Sequence, residues 1–441
     1  MQKVWNENKQ TLTLAFPMMA GQLTFMLQGM SDTLMIGHVG TVELAASAFV
    51  NVMMVLPVVV GAGLSSAISV QVSHAYGAGD HRGMGEAVRH GLAWAMALAV
   101  VVTAFLWSLM PVLDWFGQPA EVAAKAPPFL FWMAASMVPM MLTMALKSYS
   151  EGQNKVWPVF WILAGSVLLN IVLNWWLIFG GLGVPPLGLT GAGLATFLAR
   201  VIALIVLWWY LHAEEDFAEN RPQRWLSKLD HAEMWRLGVI MVPIMGQMLL
   251  EMSVFALTAV MLGWLGAVPL AAHQVAITCA ATTFMLPLGL SLALTIRVGQ
   301  AVGSGERERA GAIILGAHGL SLLIMGITAA CFCVFREPIA RAFTGDAAVV
   351  AMASSLLVLA GIFQLFDGAQ VVSIGALRGL KDVRAPAVLA GISYWGVAMP
   401  LGAWLCFGAK WGAVGFWIGL ATGLAVAAVV LTTRVWVKLR E

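Results

Sequence analysis

Twelve apolar segments, each long enough to cross a bilayer, leave this chain few ways to fold. They fall near residues 11–36, 44–73, 88–111, 128–149, 158–180, 190–211, 237–264, 270–299, 311–335, 348–376, 385–408 and 412–433. A helix crosses the hydrocarbon core in about 20 mainly apolar residues, and any spanning segment must satisfy its backbone hydrogen bonds internally. Unbroken runs of this length therefore predict helices and not strands. Composition agrees: 60% of the 441 residues are hydrophobic and 10% charged, with a mean hydropathy of +0.86. Soluble domains carry about 25% charged residues, so too few polar side chains remain to coat a water-exposed globule. The expected fold class is an all-α integral membrane protein of twelve transmembrane helices.

Lys and Arg set the orientation, because cytoplasmic loops hold an excess of both. With an even number of spans the termini share a side, and that side collects nineteen of the 24 basic residues. The opposite side holds only Lys125, Arg336, Arg341 and Lys410, and Arg200 lies within the sixth segment. Both termini are thus expected in the cytoplasm. The polar opening "MQKVWNENKQ" is unlike the short basic start of a signal peptide, so the first apolar segment is expected to remain as a helix.

The longest polar stretch, residues 212–236, parts six segments from six, and the two halves align at an offset of 226 residues. Pro17 meets Pro243, Gly37 meets Gly263, and Leu44-Ala45-Ala46 meets Leu270-Ala271-Ala272. "VQVSHAYGAGDHRGMG" at 70–85 lies over "IRVGQAVGSGERERAG" at 296–311. Two pseudo-symmetric six-helix lobes are expected, residues 1–222 and 223–441. Six spans per half make the repeat parallel, an arrangement of transporters that alternate access between two lobes.

Three acids remain inside apolar segments: Asp32, Glu251 and Asp367. An ionised acid at the centre of a span costs about 2.5–3.5 kcal/mol on the lenient insertion scale, so such residues face the bundle interior or a wet cavity and mark function. Each has polar neighbours at helical spacing. Gln247 and Glu251 are four apart, and Gln364, Asp367 and Gln370 are spaced three and three, so each set shares a face. Asn170 and Asn174 share a face of the fifth segment, and Thr196 and Arg200 one of the sixth. Asp32, Asn170, Asn174 and Thr196 are expected to form one cluster, and Glu251 with Asp367 another. Two carboxyls embedded together titrate as a coupled unit and hold a proton unless a cation replaces it. Such a site exchanges H⁺, a metal cation or an organic cation. The plainer alternative pairs Asp32 with Arg200, which looks like the only embedded base, and pins the first helix to the sixth.

Other features exclude more than they assign. "GAGD" and "GSGE" lack the Lys-Ser/Thr of a phosphate cradle. No nucleophile–base pair, metal motif or nucleic-acid patch is visible, so neither an enzyme nor a cofactor is expected. Cys279, Cys331, Cys333 and Cys406 read as small buried hydrophobes. His273 and Gln274 open the eighth segment and suit polar contacts near the outer interface.

With these residues placed, the chain resembles the multidrug and toxic compound extrusion (MATE) family, specifically its NorM-like bacterial branch. The resemblance runs over nearly the whole length. It rests on "FPMMAGQ", "SDTLMIGHVGTVELAA", "HAYGAGD", "LAAHQVA", "GQAVGSGE" and "GALRGLKDVRAP", in that order and spacing. It implies two six-helix lobes in a V around a central cavity, in a bacterial inner membrane. It also implies antiport of Na⁺ or H⁺ against amphipathic, often cationic drugs, by a chain expected to be monomeric. Members of the branch place acids at the positions of Asp32, Glu251 and Asp367, and amides and a hydroxyl at those of Asn170, Asn174 and Thr196. Glu251 and Asp367 are the expected Na⁺ ligands if sodium drives transport, with Gln247, Gln364 and Gln370 in support. Some relatives carry Tyr where this chain has Phe363, which keeps a ring face and drops the hydroxyl. A lipid-linked saccharide flippase shares the two-lobe architecture, but it needs a basic cavity for pyrophosphate, and acids outnumber bases among the embedded residues.

Overall fold

The structure, a computed structural model, describes residues 2–181, 183–222, 225 and 228–441, and side chains from Trp5 onward. Of the basic residues counted above, Arg224 and the side chain of Lys3 lie outside the described set. Among the described residues the chain is helical, apart from a single bridge between Gly181 and Val184.

Twelve long helices follow the twelve apolar segments. The first half supplies α1 (Gln2–Gly37), α2 (Thr41–Gly77), α3 (His81–Leu109), α4 (Ala120–Gly152), α5 (Val156–Phe179) and α6 (Gly188–Ala213). The second supplies α7 (His231–Gly263), α8 (Ala267–Gly303), α9 (Arg307–Val334), α10 (Ala347–Gly379), α11 (Arg384–Gly408) and α12 (Gly412–Arg440). A short helix, Arg336–Phe343, lies between α9 and α10. Among the described residues eleven of the twelve, α2 to α12, are long and apolar enough to cross a membrane by length and composition. α1 is 36 residues long, and Gln22, Gln28 and Asp32 keep it out of that group. The chain is an all-α, multi-pass membrane protein.

Packing divides the chain into two compact units, Leu23–Met245 and Met1–Gln22 with Gly246–Glu441. The division expected from the sequence falls at 222/223, whereas packing divides the chain within α1 and α7. The reason is visible in the contacts each helix start makes. The first turns of α7 pack with the first half of the chain: Leu237 and Met241 join the core that holds Leu64, Ile68 and Leu146, and Trp94 Nε1 donates to Met234 O at 3.0 Å. The first turns of α1 pack with the second half. Arg297 of α8 pairs with Glu7 and donates to Thr11 Oγ1 at 2.5 Å, and Arg309 of α9 reaches Glu7 at 3.0 Å.

Within the Leu23–Met245 unit, α5 lies directly on α6 because Gly191 has no side chain. A Cβ at Gly191 would meet Leu177 O at 2.5 Å, and small residues of this kind let membrane helices approach closely. α4 bends at Ser136, between the ring pair Pro127-Pro128 and Pro139, as expected where Pro removes a helical donor.

In the other unit α10 is central, bounded by α8, α9 and α12. Ser291 Oγ of α8 donates to Val371 O at 2.6 Å and Thr295 Oγ1 to Gly375 O at 3.0 Å. α11 is irregular: Ile392–Ala398 and Trp404–Gly408 are π-helical turns. Such turns are rare and concentrate at functional sites. The cysteines depart from expectation: Cys406 is buried, but Cys331 and Cys333 lie on the exposed face of α9, where a sulfhydryl is apolar enough for lipid.

Candidate functional site

The Leu23–Met245 unit joins all four residues of its expected cluster in one hydrogen-bonded chain. Asn174 Nδ2 donates to Asp32 Oδ1 at 2.6 Å and lies 3.2 Å from Asn170 Oδ1. Asn170 Nδ2 donates to Thr196 Oγ1 at 3.4 Å, and Thr196 donates in turn to Ala192 O at 3.0 Å. One helical turn separates Asn170 from Asn174, which is why α5 presents both amides together, and the α5–α6 approach at Gly191 brings Thr196 within reach. Asn170 and Asn174 are fully buried. Asn174 Oδ1 has no partner among the described residues, so a buried acceptor stands beside the Asp32 carboxylate. An unpaired buried oxygen is costly, and a proton donor, a water or a cation satisfies it.

Arg200 does not take up that carboxylate. Its Nη1 donates to Ser136 Oγ at 2.6 Å, at the bend of α4, and no ion pair with Asp32 exists among the described residues. Arg200 still lies within electrostatic range of Asp32, without a contact ion pair.

The second cluster lies in the other unit, on α7, α8, α10 and α11. Glu251 of α7 finds a partner that sequence reasoning missed. Tyr394 Oη lies 3.0 Å from Glu251 Oε1 and 3.0 Å from Gln370 Oε1. Tyr394 is buried on the first π-helical turn of α11. A tyrosine has one hydroxyl proton, so it serves one of these oxygens as donor. The other contact needs either a protonated Glu251 or a turned Gln370 amide. The hydroxyl therefore reads the state of the carboxyl.

Gln364, Asp367 and Gln370 are all buried along one stripe of α10. Thr283 Oγ1 of α8 donates to Gln364 Oε1 at 2.8 Å, and no side chain among the described residues donates to Asp367. Gln247 meets Arg378 instead of Glu251: Arg378 Nη2 donates to Gln247 Oε1 at 3.4 Å. Arg378 was expected in a cytoplasmic loop, which made Arg200 look like the only embedded base. It is 8% exposed, because α10 runs on to Gly379 and Gly379 packs against Thr295 and Val298. Its position, three helical turns after Asp367 and on nearly the same face, was the available signal. For Tyr394 the sequence offered little, since a tyrosine in an apolar run reads equally as packing or as an interfacial anchor.

Aromatic rings stand beside the acids. Phe255 follows Glu251 by one turn and Phe363 precedes Asp367 by one turn. Phe255 lies 6.1 Å from Phe363 and 6.3 Å from Tyr394 between ring centroids, and Phe363 lies 5.7 Å from Trp417. A ring face attracts a cation that comes within about 6 Å of its centroid. His273 is buried with its ring 5.8 Å from Trp417, and Gln274 Nε2 donates to Thr278 Oγ1 at 3.4 Å.

Comparison with known proteins agrees with this arrangement. The family model described as MatE matches residues 17–176 and 243–404, two copies whose starts lie 226 residues apart, as in the internal repeat. The chain is 37% identical to a "Probable multidrug resistance protein NorM" of Pseudomonas aeruginosa, over 97% of this chain and 88% of that protein. It is 34% identical to one from Mesorhizobium japonicum, over 99% and 95%. Among solved structures, the Vibrio cholerae MATE transporter VcmN in the bent form superposes with a TM-score of 0.90 at 21% identity, covering 100% of this chain and 98% of that one. The eukaryotic MATE transporter AtDTX14 gives 0.87 at 22%, covering 99% and 98%.

Membrane-length helices in a doubled plan, with buried polar residues gathered around acids in each unit, define a multi-pass membrane transporter. The two family matches and the near-full-length relatives make it specific: the chain belongs to the MATE family, in its NorM-like branch, and is a multidrug efflux transporter.

Proposed function

We propose that the chain is an antiporter that exports amphipathic, often cationic organic compounds in exchange for inward Na⁺ or H⁺. The observation that carries this reading is that each unit holds embedded carboxyls with no ion-pair partner among the described residues: Asp32 in one, Glu251 and Asp367 in the other. Arg200 and Arg378 lie within electrostatic range of Asp32 and Glu251 but do not close a contact pair on them, and an embedded acid not locked in such a pair is available to a proton or cation. Glu251 and Asp367 form the coupling site, with Tyr394, Gln370, Gln364 and Gln247 supporting it, and they are the Na⁺ ligands if sodium is the driving ion. Asp32 with Asn170, Asn174 and Thr196 forms a second protonation, cation or substrate site. The functional halves are residues 1–222 and 223–441, both termini are cytoplasmic, and the protein works as a monomer in a bacterial inner membrane. Transport involves no covalent chemistry and no cofactor.

The test uses proteoliposomes loaded with ethidium, with membrane potential clamped. An inward pH gradient in Na⁺-free buffer and an inward Na⁺ gradient at equal pH are applied in turn. Ethidium movement under one gradient establishes antiport and names the ion. No movement under either by folded protein overturns the reading and favours a flippase. Asp367→Asn is expected to insert normally and to lose coupled efflux, whereas normal coupled efflux removes the acid pair from the mechanism.

A further inference from the structure

A cavity of about 540 Å³ opens at the end of the Leu23–Met245 unit where α1 gives way to α2. Its volume lies in the range of about 300–1,000 Å³ typical of small-molecule sites. It is built at the ends of the three helices that carry the Asp32 cluster and sits about 6–9 Å further along them. His38 follows Asp32 by six residues, Ile178 follows Asn174 by four, and Thr190 precedes Thr196 by six. The lining is mixed, about half of it polar, and its apolar part comes from Ile178, Phe179, Leu187 and Leu189. Four side chains bring charge or lone pairs to it: His38, Glu43, Lys125 and Thr190.

Their hydrogen bonding says what the cavity accepts. His38 Nδ1 lies 2.8 Å from Leu34 O, a carbonyl that can only accept. In the neutral ring Nδ1 therefore carries the hydrogen and Nε2 presents a bare lone pair. The Glu43 carboxylate lies 3.2 Å from Lys125 Nζ. That lysine side chain is 57% exposed and Glu43 only 18%, so of the two lining groups the acid is the more enclosed. With its ammonium end open to solvent the pair is weak, and a cation arriving from the pocket displaces the ammonium at little cost.

The geometry points to a second ligand site here, one that takes an amphipathic organic cation bearing an N–H donor. The Glu43 carboxylate and His38 Nε2 accept from the cation, the apolar part of the lining holds its body, and Lys125 swings aside as a displaceable counter-ion. The choice of ligand class rests on the efflux reading, under which the pocket is a waiting position next to the Asp32 cluster.

The test is cysteine protection in the full-length protein. Cys279, Cys331, Cys333 and Cys406 are changed to Ser and Thr190 to Cys, and labelling by a methanethiosulfonate reagent is timed with and without ethidium. Ethidium is expected to slow labelling. Glu43→Gln raises the half-protecting concentration about tenfold, and Lys125→Met lowers it by up to about fivefold, the limit set by a weak surface pair. A merely structural salt bridge predicts loss with either change, so tighter protection in Lys125→Met distinguishes the two, and it does so even if Glu43→Gln does not fold. Labelling indifferent to ethidium, or protection unchanged by both substitutions, overturns the site. Ethidium efflux by the same protein separates the two readings. Efflux without protection removes the pocket and keeps the antiporter, and protection without efflux does the reverse.

Discussion

Replacing Tyr394 with Phe removes one oxygen and keeps the ring, which makes it the sharpest probe of the coupling site. The hydroxyl stands 3.0 Å from both Glu251 and Gln370. A hydrogen bond to a charged acceptor contributes about 1.5–3 kcal/mol. When Glu251 is ionised the hydroxyl donates to it, so the variant disfavours the cation-free carboxylate by that amount. At about 1.4 kcal/mol per factor of ten, the lower limit is a tenfold change. The concentration of driving cation that half-saturates ethidium efflux is expected to fall about tenfold, and maximal efflux falls too, because release of the cation is now harder. The assay is initial-rate efflux from proteoliposomes over a series of cation concentrations, with membrane potential clamped. Gln370→Ala on the same background completes a double-mutant cycle, and non-additivity is expected because both partners share one hydroxyl. A half-saturating concentration within twofold of the parent, with additive effects, refutes the reasoning.

Three further outcomes are expected. Asn174→Ala takes the donor from Asp32 and from Asn170 Oδ1 and breaks the chain to Thr196, and it should weaken coupled efflux about tenfold or more and destabilise the fold by about 1–3 kcal/mol, read as a lowered melting temperature. Gly191→Val drives a side chain into the Leu177 carbonyl, 2.5 Å from where a Cβ would stand, and should destabilise the α5–α6 pair by about 1–3 kcal/mol, read as a lowered melting temperature in detergent. Glu7→Gln leaves Arg297, 5% exposed, without its anionic partner. Removing one member of a buried pair costs about 3–5 kcal/mol, and the variant should unfold earlier on heating even though Gln keeps part of the hydrogen bonding.

How much was legible in the sequence varied with the length of the pattern. Runs of 20 or more apolar residues have one backbone solution in lipid, so the helices could be read directly. The Asp32 cluster was legible as well: Asn170 and Asn174 sit one turn apart, and polar atoms that cannot face lipid must find each other. Arg378 was not, because a basic residue in the last turn of a helix reads as loop until the packing of Gly379 shows how far the helix continues. Tyr394 was hidden for another reason. Helical-face reasoning assumes 3.6 residues per turn, and the turn that carries Tyr394 does not have them.

That π-helical turn, Ile392–Ala398, has a consequence for how this helix is inherited and edited. A π turn amounts to one residue inserted into an α-helix, so α11 reads as a regular helix with an extra letter. Deleting a single residue from 395–398 would close the wide turn to the regular period, and because that turn had absorbed the extra residue, the residues beyond it would keep their facing. The widened turn that carries the Tyr394 hydroxyl to Glu251 can thus be gained or lost by one codon, while the packing of both ends of α11 stays as it is.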